Sequence, residues 1–346
     1  MAGGLRKDQR GVLAPGIKRT SVLRRVPPHD PHQYLRLPGL EGDVCAFKVA
    51  AQASAFIVEA PCGRIMTLVP GDVFLASPGD RESTRWVVGS VPDGGLIPGG
   101  EYWVLAQSGV VGALIGDSPR AKAHLGRVVY LGTIPDRKGK KLRLPQFAIV
   151  RAPALDRGAA LFLVLGTSAE VGKTTAAIAI LRALRQRGHK SLIALKATGT
   201  SSLTELLTYR DFGATTVFDC VDFGLPTTYP TNRDGIEAVF ARAVAACLSL
   251  PADAIVIECG GDLFGANVPA FLRCLKGRRP GAKVVLAAPD TSAALGAKRA
   301  LRTMGYPVDI ITGPCTDTPV LQARTQAMCA TPAVNMAMNA QVAELV

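Results

Sequence analysis

The chain has 346 residues, of which 48% are hydrophobic, so it can bury ordinary cores in about two domains. No run approaches the ~20 apolar residues of a membrane span, and no apolar segment follows the basic N-terminus, which argues against a secretory signal. Eight scattered cysteines without a CxxC pair favour a reducing cytoplasm over a zinc site or a disulfide scaffold.

The net charge of +13 is concentrated in the first part of the chain. Basic residues cluster before residue 26 and again between 137 and 143. Contact with nucleic acid is one interpretation, and a solvated arm and linker are the other. Aromatic residues make up 5% of the chain and none interleaves with these charges, so we favour the second interpretation and expect no nucleic-acid partner.

The chain order predicts a basic arm, a β-rich domain and a linker before the last domain. Residues 1–40 are rich in Pro, Gly and Arg and predict the arm. Residues 41–135 contain short β-branched or aromatic runs between Pro/Gly turns, which favour a small barrel or sandwich. Residues 136–158 are basic, contain proline and predict an interdomain linker. The strands are expected at 55–59, 64–69, 72–76, 85–89, 102–106 and 127–131.

Residues 159–346 alternate between apolar runs and helical patterns. This alternation predicts an α/β domain with a parallel sheet, whose ligands bind at the carboxyl ends of the strands. The strands are expected at 161–165, 191–195, 215–219, 254–258, 283–287 and 308–312. The helices are expected at 173–187, 203–212, 233–249, 266–277 and 291–304.

A phosphate-binding loop joins the first predicted strand of this domain to its first helix. Its residues are Gly166, Thr167, Ser168, Ala169, Glu170, Val171, Gly172, Lys173, Thr174 and Thr175. The glycines let backbone N–H groups turn toward phosphate oxygens, Lys173 supplies charge, and the Thr174 hydroxyl can ligate Mg²⁺. Five residues separate the two glycines instead of the usual four, which departs from the common GTPase and motor pattern. The loop predicts a nucleoside triphosphate site.

Two charged residues follow later strands, where a doubly wound fold places its site. Lys196 follows the apolar run 191–195 and would neutralise charge on a transferred phosphoryl group. A solvated lysine at a strand end is the alternative. Glu258 ends the apolar run 254–257, which is the layout of a Walker B carboxylate that holds Mg²⁺ directly or through water.

The loop Gly-Thr-x-x-Glu-Val-Gly-Lys-Thr resembles that of dethiobiotin synthetase, an ATP-dependent carboxylase. The same P-loop branch includes cobyrinic-acid amide synthetases, MinD/ParA-type ATPases and a bacterial family containing D-glutamate N-acetyltransferases. The resemblance covers about residues 159–320. It implies ATP and Mg²⁺ as cofactors, Lys196 facing the γ-phosphate, and a metal held by Thr174, Glu258 and, more loosely, Asp211. The chain departs from the family at Ala197, where the family has proline, and at Cys259, where it has glycine.

The end of the last predicted strand is a further candidate. Thr312, Gly313 and Pro314 lie where related folds contact the base. The family's asparagine is missing there, so the sequence does not distinguish adenine from guanine.

Together these features predict a cytoplasmic, ATP- and Mg²⁺-dependent enzyme that phosphorylates or otherwise activates a small carboxylate or carbamate for amine attack, as a dethiobiotin synthetase-like ligase does. Two alternatives stay open. One is a coenzyme A-dependent N-acyltransferase acting on a small amino acid, and the other is a nucleotide-switched regulator of the MinD/ParA type. The expected partners are a small carboxylate or amine substrate and a second copy of the chain in a homodimer, with no membrane partner.

Overall fold

The computed structural model describes residues 10–28, 31–83, 87–117, 126–150, 158–229, 235–279 and 281–337. The chain divides into two compact units. The first comprises Met1–Ile149, Thr200–Thr204 and Cys220–Arg233, and the second comprises Val150–Gly199, Glu205–Asp219 and Asp234–Val346. The division therefore does not follow a single cut along the chain. Residues 136–149 of the expected linker belong to the first unit, and residues 151–157 lie outside the described residues.

The first unit is built from short β-strands, as its pattern of apolar runs and turns predicts. Within the described residues they are β1 Arg10–Val12, β2 Lys18–Arg19, β3 Gln33–Leu35, β4 Cys45–Val49, β5 Phe56–Glu59, β6 Ile65–Leu68, β7 Val73–Pro78, β8 Arg81–Glu82, β9 Val87–Ser90, β10 Glu101–Ala106, β11 Val110–Asp117 and β12 Gly126–Thr133. The strand expected at 85–89 is β9, and its first two expected residues lie outside the described part.

Five of these strands close into a ring, so the unit is a barrel and not a sandwich. β4 pairs with β7, β7 with β11, β11 with β10, β10 with β12, and β12 returns to β4. All these pairs are antiparallel except β7 with β11. Closure removes the exposed edges that open sheets carry. The barrel interior is filled by aromatic side chains, with the Phe47 ring centroid 5.9 Å from that of Phe74 and 5.4 Å from that of Tyr130.

The described part of the expected basic arm belongs to this unit and is not a separate segment. β1 pairs with β3, and β2 pairs with β7. Val22 and Leu23 are fully buried, and the Lys18 ammonium lies 2.6 Å from the Asp72 carboxylate. The basic composition of this stretch drew attention away from its few apolar residues. Burial of those residues outweighs the loss of conformational entropy when the stretch becomes ordered.

A buried carboxylate holds the segment Thr200–Thr204 within the first unit. Glu59 ends β5 and is 2% exposed. It accepts hydrogen bonds from the backbone N–H of Leu203 at 3.0 Å and of Thr204 at 3.2 Å, and from the hydroxyl of Ser21 at 2.7 Å. Such a concentration of donors compensates for removing the carboxylate from water.

The second unit is an α/β domain with a six-stranded parallel sheet, as the alternating pattern predicts. Its strands are β13 Ala160–Gly166, β14 Leu192–Thr198, β15 Thr216–Phe218, β16 Ala254–Cys259, β17 Lys283–Ala287 and β18 Ile310–Thr312. Its described helices are α1 Lys173–Gln186, α2 Leu203–Asp211, α3 Ile236–Leu248, α4 Val268–Arg278, α5 Thr291–Thr303 and α6 Pro319–Cys329. α2 begins within the segment Thr200–Thr204.

The strand order of this sheet is β15-β14-β16-β13-β17-β18. β16 lies between β13, which leads into the phosphate-binding loop, and β14, which carries Lys196. The central strands are almost wholly apolar because both faces of a parallel sheet are covered by helices. Among the described residues, none of the helices combines the length and the apolar character that crossing a bilayer demands.

Candidate functional site

The phosphate-binding loop runs from the end of β13 to the start of α1 and folds tightly around Lys173. Gly172 has φ +92°, which favours glycine, and Glu170 adopts φ +60°. A Cβ at Gly166 would lie 2.7 Å from the Lys173 side chain, so only glycine fits there. The Lys173 ammonium donates a hydrogen bond to the Ser168 carbonyl at 2.6 Å. Lys173 is 7% exposed and therefore lies inside the loop and not at a solvated tip.

Glu258 and Lys196 lie side by side because β14 and β16 are in register. The two residues are direct Cα partners, and Val164 of β13 is the partner of Glu258 on its other side. Partners in register present their side chains to the same face of a sheet. Both side chains are buried, so the interpretation of Lys196 as a solvated strand-end lysine does not hold.

The Glu258 carboxylate accepts hydrogen bonds from residues of two helices. The Thr174 hydroxyl at the start of α1 donates to Oε1 at 3.1 Å, and the Tyr209 hydroxyl of α2 donates to Oε2. The structure therefore brings together Thr174 and Glu258, two of the three residues that the sequence assigns to a metal. Tyr209 is 1% exposed and was not among the predicted site residues.

Lys196 is surrounded by carboxylates. Its ammonium forms an ion pair with Glu205 of α2, and Glu258 and the buried Asp219 also act on it. Burial alone would lower the pKa of Lys196, but these three negative groups outweigh burial and raise its pKa above the ordinary value. Lys196 therefore carries a positive charge at neutral pH.

The other two central groups are shifted mainly by burial. Burial lowers the pKa of Lys173, partly offset by the nearby Glu258 carboxylate. Burial and the negative charge of Glu205 raise the pKa of Glu258 above its usual value. Such opposed shifts of closely packed groups are typical of functional sites, although structural ion pairs produce them as well.

Asp211 is not brought to this cluster. It is exposed at the end of α2, and its neighbours Phe212 and Gly213 lie against Arg182 and Arg185 in the second half of α1. Arg185 is about 18 Å along the helix from the start of α1, given a rise of ~1.5 Å per residue. Helix α2 instead presents Glu205 and Tyr209 to the site, residues that the sequence prediction passed over.

The segment after β18 lies against the phosphate-binding loop. A Cβ at Gly313 would approach the Val171 carbonyl to 2.6 Å, and Gly313 has φ +96°. The Thr312 hydroxyl accepts a hydrogen bond from the Met336 N–H at 3.2 Å, and Pro314 begins a short 3₁₀ helix, Pro314–Thr316. Gly313 therefore adjoins the loop, whereas Thr312 is engaged by the segment that follows α6.

The residues that the structure describes contain no group of three or more His, Cys, Asp or Glu side chains arranged to hold a metal ion. Thr174 and Glu258 provide two oxygen atoms 3.1 Å apart. Mg²⁺ commonly takes only one or two protein oxygens together with phosphate oxygens and water. The pair therefore fits a nucleotide-bound magnesium ion and not a metal cage made by the protein alone.

No protein-family model matches the chain, and no curated protein matches it. Several solved structures resemble its fold. FtsY from Thermotoga maritima has 20% identity, covering 53% of this chain and 63% of that chain, with a TM-score of 0.37. The signal recognition particle receptor FtsY from Elizabethkingia anophelis in complex with GDP has 16% identity, covering 47% and 51%, with a TM-score of 0.33. A DUF1611 family protein from Anabaena variabilis has 17% identity, covering 57% and 60%, with a TM-score of 0.38.

This chain thus spans between about half and just under two thirds of the length of these structures. At such identities and TM-scores they assign neither a ligand nor an activity to it. The second unit has a P-loop NTPase fold, as its loop and parallel sheet show. Membership of the dethiobiotin synthetase-like branch stays a prediction.

Proposed function

We propose that this chain is a Mg²⁺-dependent enzyme that transfers the terminal phosphoryl group of ATP to a small carboxylate or carbamate. The acyl phosphate formed in this way loses phosphate when an amine attacks it, so ADP and phosphate are the by-products. The observation that carries the proposal is the second buried lysine. Lys196 lies beside Glu258 and Lys173, whereas binding a triphosphate alone requires only the loop and Lys173.

Each residue of the site has a role in this proposal. The loop N–H groups and the start of α1 bind the phosphates. Lys173 exchanges its contact with the Ser168 carbonyl for a phosphate oxygen. Lys196 exchanges Glu205 for the phosphoryl group in transfer, where a fixed positive charge stabilises the transition state more than the ground state.

The charge of the site supports a requirement for a divalent cation. Lys173 and Lys196 face three carboxylates, those of Glu205, Asp219 and Glu258. A triphosphate adds several further negative charges in a poorly hydrated site, and two lysines do not neutralise them. Mg²⁺ held by Thr174 and Glu258 would supply the missing positive charge.

A thermal-shift series tests the proposal and separates it from its alternatives. ATP, GTP and acetyl-coenzyme A are each added with Mg²⁺ and with EDTA. We expect ATP with Mg²⁺ to raise the unfolding temperature, since a ligand that binds only the folded state stabilises it by mass action. Stabilisation by acetyl-coenzyme A and not by ATP would contradict the proposal in favour of acyl transfer.

A phosphate-release assay then tests the chemistry. The protein is incubated with ATP, Mg²⁺ and pools of small carboxylic acids and amines, and the phosphate is measured over time. We expect release that depends on an added acid and amine. Release that no metabolite pool changes, but that a protein partner stimulates, would instead support a nucleotide-switched regulator.

A further inference from the structure

Helix α2 contacts both charged residues of the site with side chains one helical turn apart. Glu205 and Tyr209 are four residues apart, so they lie on the same face of the helix. Glu205 pairs with Lys196, and Tyr209 donates to Glu258. Lys196 and Glu258 are direct register partners on two adjacent strands. One face of α2 therefore contacts both members of this pair, through Glu205 and Tyr209.

We propose that Tyr209 is a positioning residue, which orients the Glu258 carboxylate so that it and Thr174 hold the metal of a bound metal–nucleotide complex. This inference rests on the proposed function. Tyr209 itself would touch neither the metal nor the nucleotide. Its hydroxyl donates to Glu258 and is also within hydrogen-bonding distance of Thr174, so it acts through these two residues.

The geometry of the carboxylate carries the inference. The two oxygens of Glu258 accept from different elements, Oε1 from Thr174 of α1 and Oε2 from Tyr209 of α2. With one donor on each oxygen, rotation of the carboxylate about its last bond is restrained. Without the Tyr209 hydroxyl, the carboxylate keeps one hydrogen bond among the residues that the structure describes, the one from Thr174. The Thr174 hydroxyl would also have to ligate the metal. Partners that orient metal ligands in this way typically change metal affinity by about 10- to 100-fold.

A substitution that keeps the buried ring can distinguish this role from ordinary packing. Tyr209 is 1% exposed, and its ring is part of the buried interior of the unit. Replacement by phenylalanine keeps the ring and removes only the hydroxyl. Tyr306 offers a matched control in the same unit. It is 6% exposed, and its hydroxyl donates to the backbone carbonyl of Leu272 at 2.7 Å and not to Glu258.

The experiment compares wild type, Tyr209→Phe and Tyr306→Phe by calorimetric titration with ATP in Mg²⁺ and in EDTA. It is run at a temperature at which circular dichroism shows all three proteins folded. The readout is the ATP affinity in Mg²⁺ divided by the ATP affinity in EDTA. This ratio measures the coupling between metal binding and nucleotide binding, and it does not depend on turnover. We expect this ratio to fall about tenfold in Tyr209→Phe, with little change in EDTA. Tyr306→Phe should keep the wild-type ratio.

The outcomes separate this inference from the proposed function. A wild-type ratio in Tyr209→Phe, or an equal fall in both variants, would overturn the positioning role while leaving the proposed function intact. Failure of the wild-type protein to bind ATP in Mg²⁺ would overturn the proposed function, on which the inference depends.

Discussion

Removing Lys196 should destabilise the second unit as well as slow the proposed phosphoryl transfer. Lys196 is 9% exposed, and its positive charge compensates the carboxylates of Glu205, Glu258 and Asp219. Deleting one partner of a buried ion pair costs about 3–5 kcal/mol, because an uncompensated charge stays buried. The Glu205 side chain is 35% exposed, so water screens part of the cost. We therefore expect Lys196→Ala to lower the free energy of unfolding by about 3 kcal/mol.

The assay is urea unfolding of the folded variant at pH 7.5, with the double variant Lys196→Ala, Glu205→Ala as the control. Because the second substitution removes one of the stranded carboxylates, the double variant should be more stable than Lys196→Ala alone. The raised pKa of Lys196 means that its contribution is fully present below the ordinary value of 10.5 and is lost only as the pH rises through the folded-state pKa. The loss relative to wild type should therefore be measurable at pH 7.5, the pH of the assay. A loss below about 1 kcal/mol, the range of an exposed pair, would refute the buried-lysine account.

Two further predictions concern the first unit. Glu59→Ala should lower the free energy of unfolding by roughly 3 kcal/mol, because it strands the buried N–H of Leu203, the partly buried N–H of Thr204 and the buried Ser21 hydroxyl. Urea unfolding measures this loss, and a milder loss in Glu59→Gln is the expected control. Glu41→Gln should flatten the pH dependence of stability, because burial and the nearby Asp80 raise the pKa of Glu41 to about 8 from 4.5. The folded wild type thus keeps a proton that the unfolded chain has lost, and its stability should fall as the pH rises through that window. An identical slope in wild type and variant between pH 5 and pH 8 would count against this explanation.

The α/β unit was largely predictable because its local signals agree with its tertiary structure. The expected strands and helices after residue 159 are all present, with bounds shifted by about three residues at most. Their apolar runs are buried on both faces, and the loop glycines mark where β13 ends. α6 was missed, since its apolar residues do not follow a clear helical period. The Thr318 cap, which accepts from the Leu321 N–H, and Pro319 at its first turn were the available start signals.

The site was predicted only in part, because function there depends on which face of a helix meets the sheet. The strand-end rule found Lys196 and Glu258 and the loop supplied Thr174. The sequence prediction took Asp211 as the site residue of α2. The residues of α2 that contact Lys196 and Glu258 are Glu205 and Tyr209. The four-residue spacing of Glu205 and Tyr209 can be read from the sequence, but the face of α2 that packs against the sheet cannot.

The barrel shows a similar limit in the first unit. Short strands were recognisable from their β-branched and aromatic runs. The closing contacts join β7 to β11 and β10 to β12, and neither pairing has a short turn that would fix it locally. Strand pairings between distant segments depend on side-chain packing across the whole sheet and not on local propensity.

The central claim is that the loop of residues 166–175 binds a metal–nucleotide complex through Lys173. The most direct measurement is calorimetric titration of wild type and Lys173→Ala with ATP in Mg²⁺, with circular dichroism to show that both are folded. We expect binding by the wild type and none detectable in Lys173→Ala, because the variant loses the positive charge that the loop would place beside the phosphates. Equal ATP affinity in the two proteins would contradict the assignment of this loop as the nucleotide site.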